Sequence, residues 1–506
     1  DKLTNSLIFI MLGGRVSATA TKKSSATQLC NMYLINCPVC LAINFNKIKI
    51  VMAQKDIALY TSGPVGPQLA KMTGFMVFGM VAIMAASLAE TVYISFLGTD
   101  ELAALGFAFP IVMLIQSTTM GLSVGASSVV SRSFGEGKKD QGRLVATHSL
   151  ALALILSLLI IAIASPVLSL IFDFLGADEN VRDLSILYVE IWFFGLPFFA
   201  FAMVASSLMR AMGDIARPGY LMALSALLQI AFGPALIFGA GEFSGFGLIG
   251  AAIAFVLART IGFLLYVYFF VRDKALIFST KDIFRSFSDV LYVGTPAIAA
   301  NVIGPATMTF VTKLVATYGS AAIAGFSLAS RVETMFAMVL WSLSMSLAPF
   351  IGQNWGAGSI TRVKRSFYLA NCFSLFWGLF SFLILAFCSP FVLKTLTDDA
   401  AVLAYASLYM VIAPLGMGVM GVGANVGSGF NALGKPLAPL IISICQMLFL
   451  TVPLSLLGNS LFGLSGIFIG GILSMLISAT VGCFWFYSVL DSKRSSDQIP
   501  LRVVRA

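Results

Sequence analysis

Long apolar runs separated by short polar loops occupy the chain from residue 69 to residue 490. A run of about 20 apolar residues can cross a bilayer as a helix, which satisfies its own backbone hydrogen bonds there. None of the runs alternates polar and apolar residues as the strands of a membrane barrel do. The pattern therefore predicts an all-α polytopic membrane protein with twelve transmembrane helices. The predicted helices are residues 69–97, 102–132, 143–172, 183–210, 216–240, 246–271, 288–318, 321–353, 364–393, 400–431, 436–458 and 463–490.

The composition excludes a water-soluble domain. Hydrophobic residues make up 59% of the chain and charged residues 10%, whereas about a quarter of the residues of a soluble domain are charged. The net charge of +9 does not indicate nucleic-acid binding, because the basic residues stand in short loops between apolar runs. We expect membrane lipid and small molecules as partners, and no nucleic acid.

Lysine and arginine are concentrated in the loops on one side of the predicted membrane. Such loops remain cytoplasmic, so we expect a plasma-membrane or inner-membrane protein with both termini in the cytoplasm. The opposite loops contain only two basic residues, Arg182 and Lys394. The basic residues on the predicted cytoplasmic side are Arg132, Lys138, Lys139, Arg143, Arg210, Arg217, Arg272, Lys274, Lys281, Arg285, Arg362, Lys364, Arg365, Lys435, Lys493, Arg494, Arg502 and Arg505.

Gly98 and Gly319 are separated by a sequence distance that recurs along the chain. The same distance aligns further glycines and a proline of the first half of the chain with those of the second half. We call it the repeat offset. It predicts an N-lobe at residues 69–271, a cytoplasmic linker at 272–287 and a C-lobe at 288–490. Each lobe has six helices, so both have the same orientation, related by an axis along the membrane normal with a cleft between them. The other aligned pairs are Gly135 with Gly356, Gly137 with Gly358, Gly213 with Gly434, Pro218 with Pro439, Gly245 with Gly466 and Gly250 with Gly471.

Two segments flank the lobes: residues 1–68, and a cytoplasmic tail at 491–506. Residues 1–51 lack the order of a cleaved signal sequence, whereas Met52 opens a stretch typical of the start of a protein. Two interpretations remain open. Residues 1–51 are either foreign to the native protein or a disordered cytoplasmic tail.

Glu90 is the one charged residue between Met72 and Leu97, and it lies about 12 Å from Gly98 along the predicted helix. A carboxylate that faces lipid costs several kcal/mol, so this one has to face a cavity, hold a proton or bind a cation. The repeat offset aligns Glu90 with Val311, so the charge breaks the internal symmetry, as an ion site confined to one lobe would. The alternative is a carboxylate that is hydrogen-bonded to neighbouring helices for packing alone.

Several short motifs, in order along the chain, closely resemble those of the multidrug and toxic compound extrusion (MATE) transporters. The resemblance covers residues 69–490 and implies twelve helices in two lobes around a central cavity. It further implies a secondary active multidrug exporter that exchanges amphipathic, often cationic compounds for H⁺ or Na⁺ by alternating access. We expect a monomer. The motifs are SLAETVYISFLGTDELAALGFAFPI, GLSVGASSVVSRSFGEGKK, SSLMRAMGDIARP, RVETMFAMVLWSLSMSLAPFIGQNWGAG and GFNALGKP.

The resemblance also implies site residues. An acidic residue in the first helix is implicated in cation coupling in that family, and Glu90 occupies its position, so Na⁺ at Glu90 is the one metal ion expected. The fifth helix departs from the family pattern of Asn and Asp, because Gln229 and Gly233 stand there. We predict Gln229 as the partner of Glu90. Gly304 stands where another branch of the family has an acidic residue.

Further charged residues lie within the predicted helices, and four of them are expected to face the interior of the protein. We predict that Lys313 pairs with Glu333 or repels cationic substrates, and that Arg259 either lies nearer a helix end or extends its charge to the membrane surface. The four interior charges are Lys313, Arg331, Glu333 and Glu190. Flexible and aromatic side chains suit a cavity with many substrates. The residues predicted to line it are Phe109, Met113, Phe198, Met335 and Met338.

No cofactor and no enzyme activity are expected. The chain has no phosphate-binding loop and one histidine, His148, and its membrane helices contain no polar catalytic cluster. Cys30, Cys37 and Cys40 lack a fourth ligand for zinc. Two alternatives stay open: a lipid-linked oligosaccharide flippase of the same superfamily, which favours a more basic cavity and often fourteen helices, and a passive channel.

Overall fold

The computed structural model describes residues 60–240, 243–397 and 399–497. The two interpretations of residues 1–51, and the basic residues Arg502 and Arg505 of the tail, fall outside these ranges.

Eleven helices in the described ranges are long and apolar enough to cross a membrane. A pairing of two-residue strands, β1 (Gly239–Ala240) with β2 (Phe243–Ser244), lies in the connection between the fifth and sixth helices. The first ten helices are α1 (Val65–Ser95), α2 (Thr99–Gly135), α3 (Lys139–Phe174), α4 (Glu179–Met212), α5 (Arg217–Phe238), α6 (Leu248–Arg272), α7 (Ile283–Ala316), α8 (Ser320–Gly356), α9 (Ile360–Leu396) and α10 (Ala400–Ala432).

The eleventh helix, Leu437–Ser492, consists of two helical arms. The chain folds back at Gly463, whose φ of 60° lies in the left-handed region that glycine adopts without a steric penalty. The hydroxyl of Ser455 on one arm donates a hydrogen bond to the carbonyl of Ile467 on the other at 3.3 Å, so the arms lie side by side. The predicted all-α fold with twelve membrane helices is therefore confirmed. The two arms are α11 (437–462) and α12 (464–492).

Each half of the chain forms most of its own apolar core, although Val290 of α7 and Leu69 of α1 join clusters of the other half. Helices α1–α6, the N-lobe, bury clusters that contain Trp192 and Phe270, and helices α7–α12, the C-lobe, bury clusters that contain Phe430 and Tyr409. Two six-helix lobes are thus present. The residue bounds given above for the lobes, linker and tails stay predictions.

The end of the molecule that carries the α2–α3, α6–α7 and α8–α9 loops is called the basic end. In the half of the molecule nearer this end, α2 of the N-lobe packs closely against α7 of the C-lobe. A Cβ atom on Gly125 would lie 2.9 Å from the backbone nitrogen of Gly294, and one on Gly121 would lie 2.6 Å from that of Ile298. Small residues four positions apart let two membrane helices approach this closely.

Polar contacts join the lobes at the basic end. Tyr60, which precedes α1, donates its hydroxyl to the carbonyl of Arg210 in the N-lobe at 3.0 Å. Its backbone N–H donates to the side-chain oxygen of Gln353 in the C-lobe at 2.8 Å, and Arg362 of α9 donates to its carbonyl at 2.7 Å. Gln353 donates in turn to the carbonyl of Ala211 at 2.8 Å. These contacts hold the lobes together at this end.

The opposite end is open. Helices α2 and α8 contact helices of both lobes and so lie at the centre of the molecule. Their halves near the basic end are largely buried, whereas towards the opposite end Phe109 and Leu114 of α2 are 57% and 56% exposed and Met335 of α8 is 40% exposed. Since α2 and α8 are the central helices, we interpret these exposed faces as the border of a cleft between the lobes. The cleft opens away from the basic end.

Candidate functional site

The Glu90 carboxylate lies inside the N-lobe and binds two side chains from other helices. α1 runs unbroken to Ser95. Glu90 lies about 12 Å along the chain before Gly98, which is at the open end of the molecule. The hydroxyl of Tyr188 on α4 donates to Oε1 at 2.9 Å, and Nε2 of Gln229 on α5 donates to Oε2 at 3.1 Å. Tyr188 and Gln229 are only 4% and 6% exposed. The structure thus brings Gln229 to Glu90, while their role in ion coupling stays a prediction.

An arginine extends this group of polar side chains. Arg259 of α6 donates from Nη2 to Oε1 of Gln229 at 3.2 Å and from Nη1 to the hydroxyl of Ser225 at 3.3 Å. Its guanidinium lies 4.9 Å from the centre of the Phe255 ring, within the range of a cation–π interaction. A single amide therefore links the carboxylate of Glu90 to a positive charge. We call Glu90, Tyr188, Gln229 and Arg259 the carboxylate network.

The position of Arg259 corrects the sequence analysis. Arg259 was predicted to lie nearer a helix end or to extend its charge to the membrane surface, but it lies in the middle of α6, Leu248–Arg272, with its charge directed into the lobe. A membrane helix accommodates such a charge when polar partners inside the protein bind it, and Gln229 and Ser225 do so here.

Gly233 of α5 lies beside Tyr93 of α1 in this site. A Cβ atom on Gly233 would lie 2.9 Å from the ring of Tyr93, so an aromatic ring from α1 occupies the space beside this backbone. A narrow cavity next to Glu90 is lined by these two residues and by small or apolar side chains. Glu90 is therefore the one carboxylate in this cavity lining, whose other members are Ala86, Gln229, Ile237, Ala251 and Ala254.

Comparison with known proteins places this site in a family. The family model MatE matches residues 76–235 and 296–457, which together are more than half of the chain. The chain belongs to the MATE family. It is thus an integral membrane protein of a family of ion-coupled transporters, not enzymes, that carry small molecules.

Several MATE proteins are similar over most of their length. A protein named FAD transporter from Shewanella oneidensis is 30% identical over 435 residues, which are 85% of this chain and 96% of that protein. The probable multidrug resistance protein NorM of Thermotoga maritima is 24% identical over 432 residues, which are 83% of this chain and 90% of that protein. A crystal structure of the Vibrio cholerae MATE transporter VcmN in the bent form has a TM-score of 0.80 at 28% identity, covering 85% of this chain and 97% of that one.

The remaining predicted charges of this MATE protein are not gathered at the carboxylate network. Glu190, Lys313 and Arg331 are exposed. The carboxylate of Glu333 accepts a hydrogen bond from the hydroxyl of Tyr409 at 2.5 Å. The predicted pairing of Lys313 with Glu333 is wrong, because no ion pair joins them in the described part of the chain.

The residues predicted to line a substrate cavity divide into two groups. Phe109 and Met335 are exposed on α2 and α8 where the cleft is open, and Met113 is partly buried. Met338 is only 6% exposed, and Phe198 packs its ring 5.3 Å from that of Phe263 within the N-lobe. Met338 is therefore buried, whereas Phe198 is partly buried and its place in a substrate cavity stays a prediction.

Sequence reasoning missed Tyr188 and misplaced Arg259. One feature of the sequence could have indicated Tyr188, because the repeat offset aligns it with Tyr409. In the structure both tyrosines bind a carboxylate. No comparable signal marked Arg259, since Thr480 stands at the aligned position of the second half.

We expect Glu90 and Arg259 to act as a unit. Arg259→Gln leaves the carboxylate without its linked positive charge, so it should lower the thermal unfolding midpoint in detergent. Glu90→Gln combined with Arg259→Gln should be less destabilised than the sum of the two single variants, with a coupling free energy of about 0.5–3 kcal/mol.

A matched pair provides the control for this cycle. Glu190→Gln and Arg331→Gln change exposed residues in different lobes, so their effects should add to within about 0.5 kcal/mol. Additive effects for Glu90 and Arg259 as well would show that the two charges do not depend on each other.

Proposed function

We propose that the protein exports amphipathic small molecules in exchange for H⁺, by alternating access of the cleft between its lobes. The observation that carries this proposal is a carboxyl group that lies inside one lobe and accepts hydrogen bonds from two other helices of that lobe. If the basic end is cytoplasmic, as the loop charges predict, the conformation is outward-open.

The environment of Glu90 supports H⁺ over Na⁺ as the coupling ion. Both carboxylate oxygens face hydrogen-bond donors, Tyr188 and Gln229, and the positive charge of Arg259 lies one side chain further. A sodium ion needs several oxygen ligands and would be repelled by the guanidinium. A proton needs one carboxylate oxygen only.

Protonation supplies a reason for the lobe to rearrange. A charged Glu90 attracts the donors of Tyr188 and Gln229 and, through Gln229, the guanidinium of Arg259; a protonated Glu90 attracts them less. Since the three partners belong to α4, α5 and α6, loss of the charge weakens the attraction of α1 for three helices at once. We infer that this change releases substrate to the outside. One charge that moves through the membrane potential contributes about 2.3 kcal/mol per 100 mV.

The substrate class has two candidates. Relatives named multidrug resistance proteins support a range of drugs as substrates, and the exposed Phe109 and Met335 offer an apolar surface for amphipathic ones. A second candidate is a flavin nucleotide. It is favoured by the similarity to the protein named FAD transporter and by Arg331, one helical turn before Met335 and exposed like it, whose charge suits a phosphate group better than a cation.

Transport by purified protein in liposomes tests the proposal. Ethidium and FAD are offered separately under an imposed pH gradient and an imposed Na⁺ gradient. Accumulation of either compound that follows the pH gradient supports H⁺-coupled export and identifies the substrate class. Accumulation driven by Na⁺ alone, or flux that only follows the gradient of the compound itself, would overturn it.

A further inference from the structure

The C-lobe contains a carboxylate–tyrosine pair that the predicted ion-coupling site does not use. Glu333 lies on α8 about 20 Å from the helix start at Ser320, and its Oε2 atom is 2.5 Å from the hydroxyl of Tyr409 on α10. The rings of Phe326 and Phe468 lie 5.2 and 4.9 Å from the ring of Tyr409. The tyrosine of this pair is thus packed among aromatic side chains in the core of the lobe.

The internal repeat relates this pair to the carboxylate network. The repeat offset aligns Tyr188 with Tyr409, and each tyrosine donates its hydroxyl to a carboxylate of its own lobe. The carboxylates come from different helices, Glu90 from α1 and Glu333 from α8, so alignment of the sequence alone does not reveal the correspondence. The phenol is therefore a feature that the two lobes share.

The C-lobe pair differs from the N-lobe network in having no linked cation. At the positions aligned with Gln229 and Arg259 stand Leu450 and Thr480, and the Thr480 hydroxyl donates to the carbonyl of its own helix at Leu476. Tyr409 is the only hydrogen-bond partner of Glu333 in the described ranges. A carboxylate that is mostly removed from water and bound by one hydroxyl is costly, and the protonated acid is less so.

The other ionisable groups on the surrounding helices do not neutralise Glu333. Arg331 on the same helix and Lys313 on α7 are exposed, and no ion pair joins either of them to Glu333 within the ranges described. Tyr405 of α10 packs in the same core, and Glu90 of α1 is bound by its own partners. A proton can bind Glu333 in these surroundings, because a proton needs only a single oxygen atom.

We propose that Glu333, with Tyr409, is a second proton-binding site, so that two protons, one in each lobe, are exchanged for each substrate exported. This inference rests on the H⁺-coupled export proposed above. Glu333 is partly exposed, so its carboxyl group is not sealed inside the lobe.

The number of protons is measured from the steepest substrate gradient that liposomes sustain at a pH difference of one unit, with the membrane potential clamped at zero. Two protons sustain about a 100-fold gradient and one proton about a 10-fold gradient, since each proton contributes about 1.4 kcal/mol. The probe is ethidium, or FAD if the wild-type protein accumulates that compound. Wild type is expected to reach the larger gradient and Glu333→Gln only the smaller one, while Glu190→Gln, an exposed carboxylate, should behave as wild type.

A second measurement does not require transport. Binding of the probe to protein in weakly buffered detergent solution should release about two protons from wild type and about one from Glu333→Gln or Glu90→Gln, and Tyr409→Phe should shift the pH at which the release occurs. A Glu333→Gln protein with wild-type gradient or proton release overturns the second site. If the wild-type protein sustains only a 10-fold gradient, the second proton site is also overturned, but H⁺-coupled export is not. If transport by the wild-type protein does not respond to pH, the proposed function itself is contradicted.

Discussion

Glu90→Gln should reduce ion-driven export by proteoliposomes to the level of protein-free liposomes, while the protein keeps its fold. The amide has the size of the carboxyl group and can still accept from Tyr188, so packing around α1 is retained. It cannot bind and release a proton, and it does not attract Arg259 through Gln229 as a carboxylate does. The step that we propose to drive release of substrate is therefore lost. Efflux of ethidium or FAD under an imposed pH gradient measures the effect.

The control for this variant is Glu190→Gln, which removes an exposed carboxylate from α4, the helix that carries Tyr188. It should transport as wild type does. The thermal unfolding midpoint of each variant shows whether the protein is folded. Undiminished coupled efflux by a well-folded Glu90→Gln protein would mean that the carboxylate network is a packing feature, the alternative that the sequence left open.

Gly125→Val should prevent the lobes from closing at the basic end. A Cβ atom on Gly125 would meet the carbonyl oxygen of Val290 and the backbone of Gly294 on α7, and backbone atoms cannot turn aside as side chains do. Overpacking of this kind costs about 1–3 kcal/mol, enough to shift an equilibrium between two conformations by one to two orders of magnitude. We expect the outward-open form to lose population and export to fall roughly in proportion.

A cysteine at Ser128, which is 4% exposed between the lobes, reports on this closure in a protein whose native cysteines have been replaced. A water-soluble thiol reagent should label it faster when Gly125→Val is present. Gly106→Val is the matched control on the same helix, because no atom lies within 4 Å of a Cβ at Gly106. Equal labelling and equal export in both glycine variants would show that close contact between α2 and α7 does not control the basic end.

The sequence by itself was enough to predict the membrane helices and to single out Glu90 as a functional candidate. Twelve membrane helices followed from runs of apolar residues, because the bilayer imposes helix formation on each run independently of its neighbours. Glu90 was recognisable because a charge in such a run is costly wherever the helix packs. The departure of the fifth helix from the MATE pattern also pointed to Gln229, which the structure places 3.1 Å from the carboxylate.

Only the tertiary structure decided which side chains meet. Tyr188 reaches Glu90 from a helix 98 positions away, and Arg259 reaches Gln229 from a separate helix, so both contacts depend on how α4 and α6 are rotated about their axes. Hydrophobicity cannot specify that rotation in a helix that is apolar on every side. The same reason made Arg259 look like a charge at the membrane surface and made Lys313 look like the partner of Glu333. The sequence therefore determined the number of helices and the presence of a carboxylate within one, whereas packing between distant helices determined what that carboxylate binds.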